Sequence, residues 1–442
     1  MPTSLRFRAL DPLPFGTRLS IARFAFENGL LALLVQDHRA PIVSYQAWFK
    51  VGSRDEAVGK SGQAHLLEHL LFLDILGWPD GGIDRVVEEA GGNTNAATWV
   101  DFTHFYENLP ASKLELAIQL ESKRMHGLCL SEERLENEKR VVLSERKEQV
   151  DDDIEGTTQE VLHAMAFGRR HPYGWPTIGW KKDIIAITPE DCMHFYRTHY
   201  CPKRCIVVIV GDFEIETALS EIAKAYSPLA PRGIERLPPP SPPRWRPRRR
   251  TIFRPAASPK LMLAWPAPSI TSPYHSHLLL VSEVLGGGRS SRLFRSLVED
   301  MEVATDVQTH LLPFEGPSLF EIWVDLRPDS SIEEVLEHIQ KELSRLEDRP
   351  LSYEELQSAR NRLELRFFES LRTRSGIAEE IGFCAAVTGD PAYGFVQIER
   401  CRQSTPWEIL DTVKRVFRFP PLELCLLPLE ARKAHNATRS CP

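Results

Sequence analysis

Gly62-Gln63-Ala64-His65-Leu66-Leu67-Glu68-His69-Leu70-Leu71-Phe72 is the stretch around which the rest of the chain is best read. Ala64, Leu67, Leu70 and Leu71 recur at helical spacing, which predicts a helix with a buried stripe. His65 and His69 are four apart, so a 3.6-residue helix stacks one imidazole a turn above the other. Glu68 projects from the edge of the same stripe. Burying two imidazoles and a carboxylate beside so much apolar surface is costly unless they are paired or bind a metal. Two neutral imidazole nitrogens can hold a zinc ion, and an adjacent carboxylate can take a proton from water bound to it.

A catalytic zinc takes three protein ligands and keeps one position open, so a third group must come from another element. A helix is predicted from Glu132 to about Val150, with Ser131 as its N-cap and acids in its first turn. Glu138 and Glu145 lie two turns apart on one face of it, and Glu148 is a further carboxylate on a similar face. Acids on a charged helix are mostly a solvated surface, and spacing alone does not choose Glu145 over its neighbours.

The chain has 442 residues, too many for one ordinary core, so two domains are expected. Hydrophobic content of 42% and charged content of 26% are those of a globular protein. Between Pro231 and Arg250 stand seven prolines and seven arginines, a composition that forms neither helix nor central strand. The expected organisation is therefore residues 1–230, a linker at 231–250, and residues 251–442. Residues 30–35 and 41–49 read as paired strands before the zinc helix, and 205–210 as another. In the second half, 260–265 and 319–324 read as strands, and 274–285, 332–346 and 353–372 as helices. Both halves thus mix strands with long helices, an α+β pattern.

Beyond the H-x-x-E-H run, several motifs carry a resemblance. Val51-Gly52-Ser53-Arg54-Asp55-Glu56 precedes the zinc helix. Gly91-Gly92-Asn93-Thr94-Asn95-Ala96-Ala97-Thr98 follows it, then Asp101, Thr103 and Tyr106. Glu138 to Glu145, His171-Pro172-Tyr173-Gly174, Ile178-Gly179, Val207-Val208-Ile209-Val210-Gly211-Asp212 and Ser290-Ser291-Arg292-Leu293-Phe294 complete the set. The chain resembles the pitrilysin/insulinase-type inverzincin metallopeptidases. Within them it is most like the zinc-bearing subunits similar to mitochondrial processing peptidase beta and their bacterial relatives.

The resemblance implies two homologous α/β-sandwich domains, each a mixed, mostly antiparallel sheet packed with helices, forming half of a clamshell chamber. It implies zinc, one ion per chain, held by His65, His69 and Glu145, with Glu68 as general base and Glu138 as a supporting acid. Asn95 and Ala96 match the edge strand on which the family lays its peptide substrate by strand addition. The implied activity is hydrolysis of peptide bonds in short or unfolded peptides. One departure stands out. After Ser-Ser-Arg-Leu-Phe, active members usually carry an Arg and, seven residues later, a Tyr that reach the substrate. The aligned positions here are Val298 and Thr305. The expectation that follows is a heterodimer in which a homologous subunit supplies the missing pair. The alternative is a non-catalytic scaffold or assembly subunit that kept the fold.

Other patterns are weaker. His275-Ser276-His277 is an i,i+2 pair whose rings point apart on a helix, so it is rejected as a metal site. Gly286-Gly287-Gly288 lacks a following Lys-Ser/Thr and reads as a helix end rather than a phosphate loop. Eight scattered cysteines form no disulfide framework. A net charge of −7 argues against a nucleic-acid surface, and Arg248-Arg249-Arg250 reads as solvated linker. No stretch is apolar enough to span a membrane, and the first twenty residues lack the apolar core of a signal peptide. A bacterial cytoplasmic or periplasmic setting is expected.

Overall fold

The computed structural model describes residues 5–73, 75, 82–231 and 235–432. They form two compact units, each built on one mixed sheet. The first takes the described parts of Met1–Arg146 together with Trp175–Pro238 and Phe368–Val396. The second takes Lys147–Gly174, Pro239–Phe367 and the described part of Gln397–Pro442. Each unit therefore includes a segment from the opposite half of the sequence. The α+β reading holds: both sheets are mixed, mostly antiparallel and packed with helices.

In the first unit, seven strands lie in the order β1–β2–β3–β7–β4–β6–β5. They are β1 (Phe7–Phe15), β2 (Leu19–Phe26), β3 (Leu31–Gln36), β4 (Ile42–Phe49), β5 (Asn93–Thr98), β6 (Thr103–Pro110) and β7 (Cys205–Gly211). Strands β3 and β4 stand where the sequence predicts them, but they do not pair. Strand β7 lies between them, parallel to β3 and antiparallel to β4. The reason is its composition: Cys-Ile-Val-Val-Ile-Val-Gly is buried at every position. A strand apolar on both faces belongs in the middle of a covered sheet. Strand β5 is the opposite case. Its Asn-Thr-Asn-Ala-Ala-Thr alternates exposed and half-buried positions, and it occupies the sheet edge beside β6 alone.

One sheet face carries α1 (Gln63–Leu73), which packs against β5, with α2 (Gly82–Glu89), α3 (Leu114–Arg124) and α4 (Glu132–Arg146) around it. The predicted helix to Val150 is α-helical to Arg146 and continues as a π-helical turn over Lys147–Asp151. Ser131 Oγ accepts a hydrogen bond from the Arg134 amide at 3.3 Å, as an N-cap does. The other face, lined by Trp48, is covered by the helix Arg374–Val387, which packs on β4 and β7. Its closest approach is at Gly382, where a Cβ would stand 2.1 Å from Trp48 Nε1.

The second unit has the strand order β10–β11–β9–β12–β8. These are β8 (Arg249–Arg254), β9 (Lys260–Ala267), β10 (Ala304–Leu311), β11 (Ser318–Leu326) and β12 (Leu422–Pro428), with only β12 and β8 parallel. Helix α5 (Ile154–Ala166) packs on β9 and β12. Leu263, Trp265, Leu280, Phe320 and Phe417 belong to the core of this unit. His275 and His277 turn to separate partners there, Gln397 at 3.3 Å and Thr412 at 2.6 Å. Residues 235–248, dense in proline, form neither helix nor strand. Among the described residues no helix is long and apolar enough to cross a membrane.

Candidate metal centre

Helix α1 begins where the backbone needs a glycine. Gly62 has φ +91°, and a Cβ there would meet the Ile178 carbonyl oxygen at 2.6 Å. The first amides of a helix lack internal partners. The buried Glu56 supplies one, accepting hydrogen bonds from the amides of Gly62 at 3.0 Å and Ala64 at 2.8 Å. Gln63, Ala64, Leu66, Leu67, Leu70 and Leu71 are buried, which leaves His65, Glu68 and His69 along the partly open stripe.

Helix α4 meets that stripe. Its buried residues Leu135, Glu138, Lys139, Val142 and Arg146 follow helical periodicity, and the helix packs against α1. This packing brings Glu145 to both imidazoles. Its carboxylate oxygens lie 3.8 Å from His65 Nε2 and 3.3 Å from His69 Nε2. One donor atom from each of His65, His69 and Glu145 can be chosen so that all lie within 4.8 Å of one another. No other such group of histidine, cysteine and acidic side chains occurs among the described residues. Two turns earlier, Glu138 Oε1 sits 2.8 Å from His69 Nδ1, on the far side of the same ring. Glu148 lies exposed on the π-helical turn.

The electrostatics suit a cation. Burial, with the neighbouring His69, pushes the His65 imidazole down to about 4, so near neutrality the ring is uncharged and one of its nitrogens offers a lone pair. Burial works against charge on His69 as well. The hydrogen bonds to Glu138 and Glu145 outweigh it and raise that ring to about 10. Positive charge at His69 Nε2 is therefore favoured, and a metal ion can take the place of the proton. Two imidazoles and one carboxylate, with a second carboxylate behind one imidazole, form a donor set that fits zinc.

Burial raises the carboxyl of Glu68, partly offset by the Thr98 hydroxyl, which donates to its Oε2 at 2.5 Å. Thr98 is the last residue of β5, so the edge strand ends at this carboxylate. Along that edge, the Ala96 amide donates to the Asn95 side-chain oxygen at 2.8 Å. Asn95 is exposed and Ala96 half-buried. A cleft of about 580 Å³ runs beside them, lined by Glu68, His69, Phe72, Thr94, Asn95 and Glu138 among others. The roles of Glu56 and Thr98 were not read from the sequence. Both sit inside runs quoted for other reasons, and only packing shows which helix end or carboxylate they meet.

Two family models match the chain. Residues 31–179 match insulinase (peptidase family M16), and residues 186–363 match the peptidase M16 inactive domain. The chain belongs to peptidase family M16. Its first half, with H-x-x-E-H, falls under the insulinase model, and its second half, without that motif, under the inactive-domain model. The zinc protease PqqE of Helicobacter pylori is 28% identical over 361 residues, 80% of each chain. A protease of known structure from Helicobacter pylori superposes with a TM-score of 0.85 at 23% identity, covering 96% of this chain and 100% of that one. The periplasmic protease PqqL of Escherichia coli superposes with a TM-score of 0.77 at 17% identity, covering 96% of this chain but 49% of that one.

Val298 and Thr305, where the resemblance leads one to expect an Arg and a Tyr, have structural uses. Val298 is half-buried and packs against the core of the second unit. Thr305, exposed on β10, donates its hydroxyl to the Asp325 carbonyl at 3.2 Å.

Proposed function

We propose that this chain is the zinc-bearing subunit of a metalloendopeptidase that hydrolyses peptide bonds in short or unfolded peptides. The observation that carries the reading is the convergence of His65, His69 and Glu145, with Glu138 bonded to the far nitrogen of His69. His65, His69 and Glu145 would hold one zinc ion. When bound, zinc acidifies water and polarises a carbonyl group. Glu68 takes the proton of the attacking water and returns it to the leaving amine. The Thr98 hydroxyl fixes the orientation of Glu68 while it does so. Glu138 holds the His69 ring in place. The free edge of β5 at Asn95 and Ala96 offers main-chain hydrogen bonds to an extended substrate, whatever its sequence.

The reading includes a partner. Val298 donates nothing, and Thr305 is too short to replace a tyrosine. Loss of one donor to a tetrahedral intermediate typically costs about a hundred-fold in rate. A homologous subunit that supplies an Arg and a Tyr would complete the site, giving a heterodimer. The twofold length of PqqL, of which this chain matches about half, is consistent with a working unit made of two such chains.

The test is cleavage of a quenched fluorescent peptide library with zinc quantified in the same sample, for the chain alone and with its homologous partner. Zinc in both samples with turnover in the mixture supports the proposal. Glu68→Gln should keep the zinc and abolish turnover. Strong turnover from the chain alone would remove the partner. The absent pair also favours a second reading, a scaffold subunit, and zinc without turnover in either sample would turn the assignment that way.

A further inference from the structure

The end of α1 is held by a charged side chain that takes no part in the chemistry proposed above. Arg124, the last residue of α3, is fully buried. Its Nη1 donates to the Leu71 carbonyl at 2.6 Å, and its Nε donates to Glu121 Oε1 at 2.7 Å. Leu71 lies in the last turn of α1, where helix carbonyls lack internal partners. A cation at that end also opposes the negative pole of the helix. The guanidinium carbon stands 4.7 Å from the ring centroid of Phe72 and 4.2 Å from that of Phe105.

The same cluster reaches the substrate edge. Glu107 on β6 is fully buried, with Oε1 3.7 Å from Arg124 Nη2, and the Thr94 hydroxyl of β5 donates to that oxygen at 3.4 Å. Burial and the neighbouring Glu121 push the Glu107 carboxyl well up. Phe72 and Thr94 both line the cleft beside His69. Two of its walls, the last turn of α1 and the edge strand, therefore converge on one guanidinium.

We propose that Arg124 is a positioning residue: by clamping the Leu71 carbonyl and the Phe72 ring, it keeps the helix turn that carries His69 wound and in register with β5. Helix ends fray, and His69 is only four residues from the end of α1. Without the clamp, one metal ligand would swing with a loose turn. The inference rests on the zinc reading above, and its test separates the two.

The experiment follows zinc release from the full-length chain into excess chromophoric chelator. The main variant is Glu121→Gln/Arg124→Met, which removes the guanidinium together with the carboxylate that its Nε bonds. Leu34→Ala on β3 and Val208→Ala on β7 are controls that destabilise the same unit away from α1. Release from the double variant should be at least about tenfold faster than from the controls, with Arg124→Lys intermediate because it keeps one donor. Release at the controls' rate would overturn the positioning role and leave the zinc reading intact. A wild-type chain that binds no zinc would overturn both. If the double variant does not fold, Arg124→Lys decides by the same comparison with the controls.

Discussion

Glu138 touches no donor atom aimed at the metal, yet its removal should be felt there. Its carboxylate accepts from His69 Nδ1 at 2.8 Å, and its side chain is 11% exposed. A hydrogen bond to a charged group is worth about 1.5–3 kcal/mol. At about 1.4 kcal/mol per tenfold, that is roughly 10- to 100-fold in zinc affinity if the bond is lost. The same range is typical of carboxylates behind a ligating histidine. Glu138→Ala should therefore weaken zinc by about 10- to 100-fold. Glu138→Gln keeps the shape and an acceptor but loses the charge, and should fall between that variant and wild type. Competition with a chelator near neutral pH measures both. An alanine variant that holds zinc as tightly as wild type would show that α4 and the packing of α1 orient His69 without this bond.

Three further outcomes are expected. His275 is buried in the second unit, and burial lowers its pKa to about 4 from 6.5. Its folded value is below its unfolded one, so its contribution to stability is full above about pH 6.5 and falls as pH drops toward 4. That contribution should shrink by roughly 1 kcal/mol by pH 5.5 and roughly 3 kcal/mol by pH 4. Urea melts of His275→Gln should show a correspondingly shallower acid slope, and an unchanged slope would contradict the account. Gly382→Ala drives a methyl into Trp48, at about 1–3 kcal/mol against a helix-propensity gain of about 1 kcal/mol. A lowered urea midpoint with normal zinc content is the expected result, and a raised midpoint would refute the close-approach argument. Ala96→Pro removes the edge amide that donates to the Asn95 side chain, and should raise KM about 3- to 10-fold at unchanged zinc content. An unaltered KM would mean that substrate does not use this amide.

The sequence carried more of the site than of the fold's connectivity. Helical spacing alone placed His65, Glu68 and His69 on one stripe, because four residues span close to one turn. The same logic put Glu138 and Glu145 on one face of α4. Spacing could not say which carboxylate meets which nitrogen. Glu145 faces both Nε2 atoms and Glu138 takes Nδ1 because the burial of Leu135, Lys139 and Val142 sets the rotation of α4 about its axis. Glu56 and Arg124, which hold the two ends of α1, lie 9 residues before His65 and 55 after His69. Nothing local marks them as caps.

What the sequence by itself determined is the set of local periods: which runs are helices, which are strands, and where two imidazoles and a carboxylate share a stripe. Those follow from backbone geometry and need no distant partner. The tertiary structure alone decided that β7 separates β3 from β4, and that the helix Arg374–Val387 covers the first sheet while α5 covers the second. The reason is that pairing and covering are settled by long-range burial. A strand apolar on both sides goes to the middle of its sheet, and each sheet face takes the helix that fits it, as Gly382 fits Trp48, from whichever half of the chain supplies one.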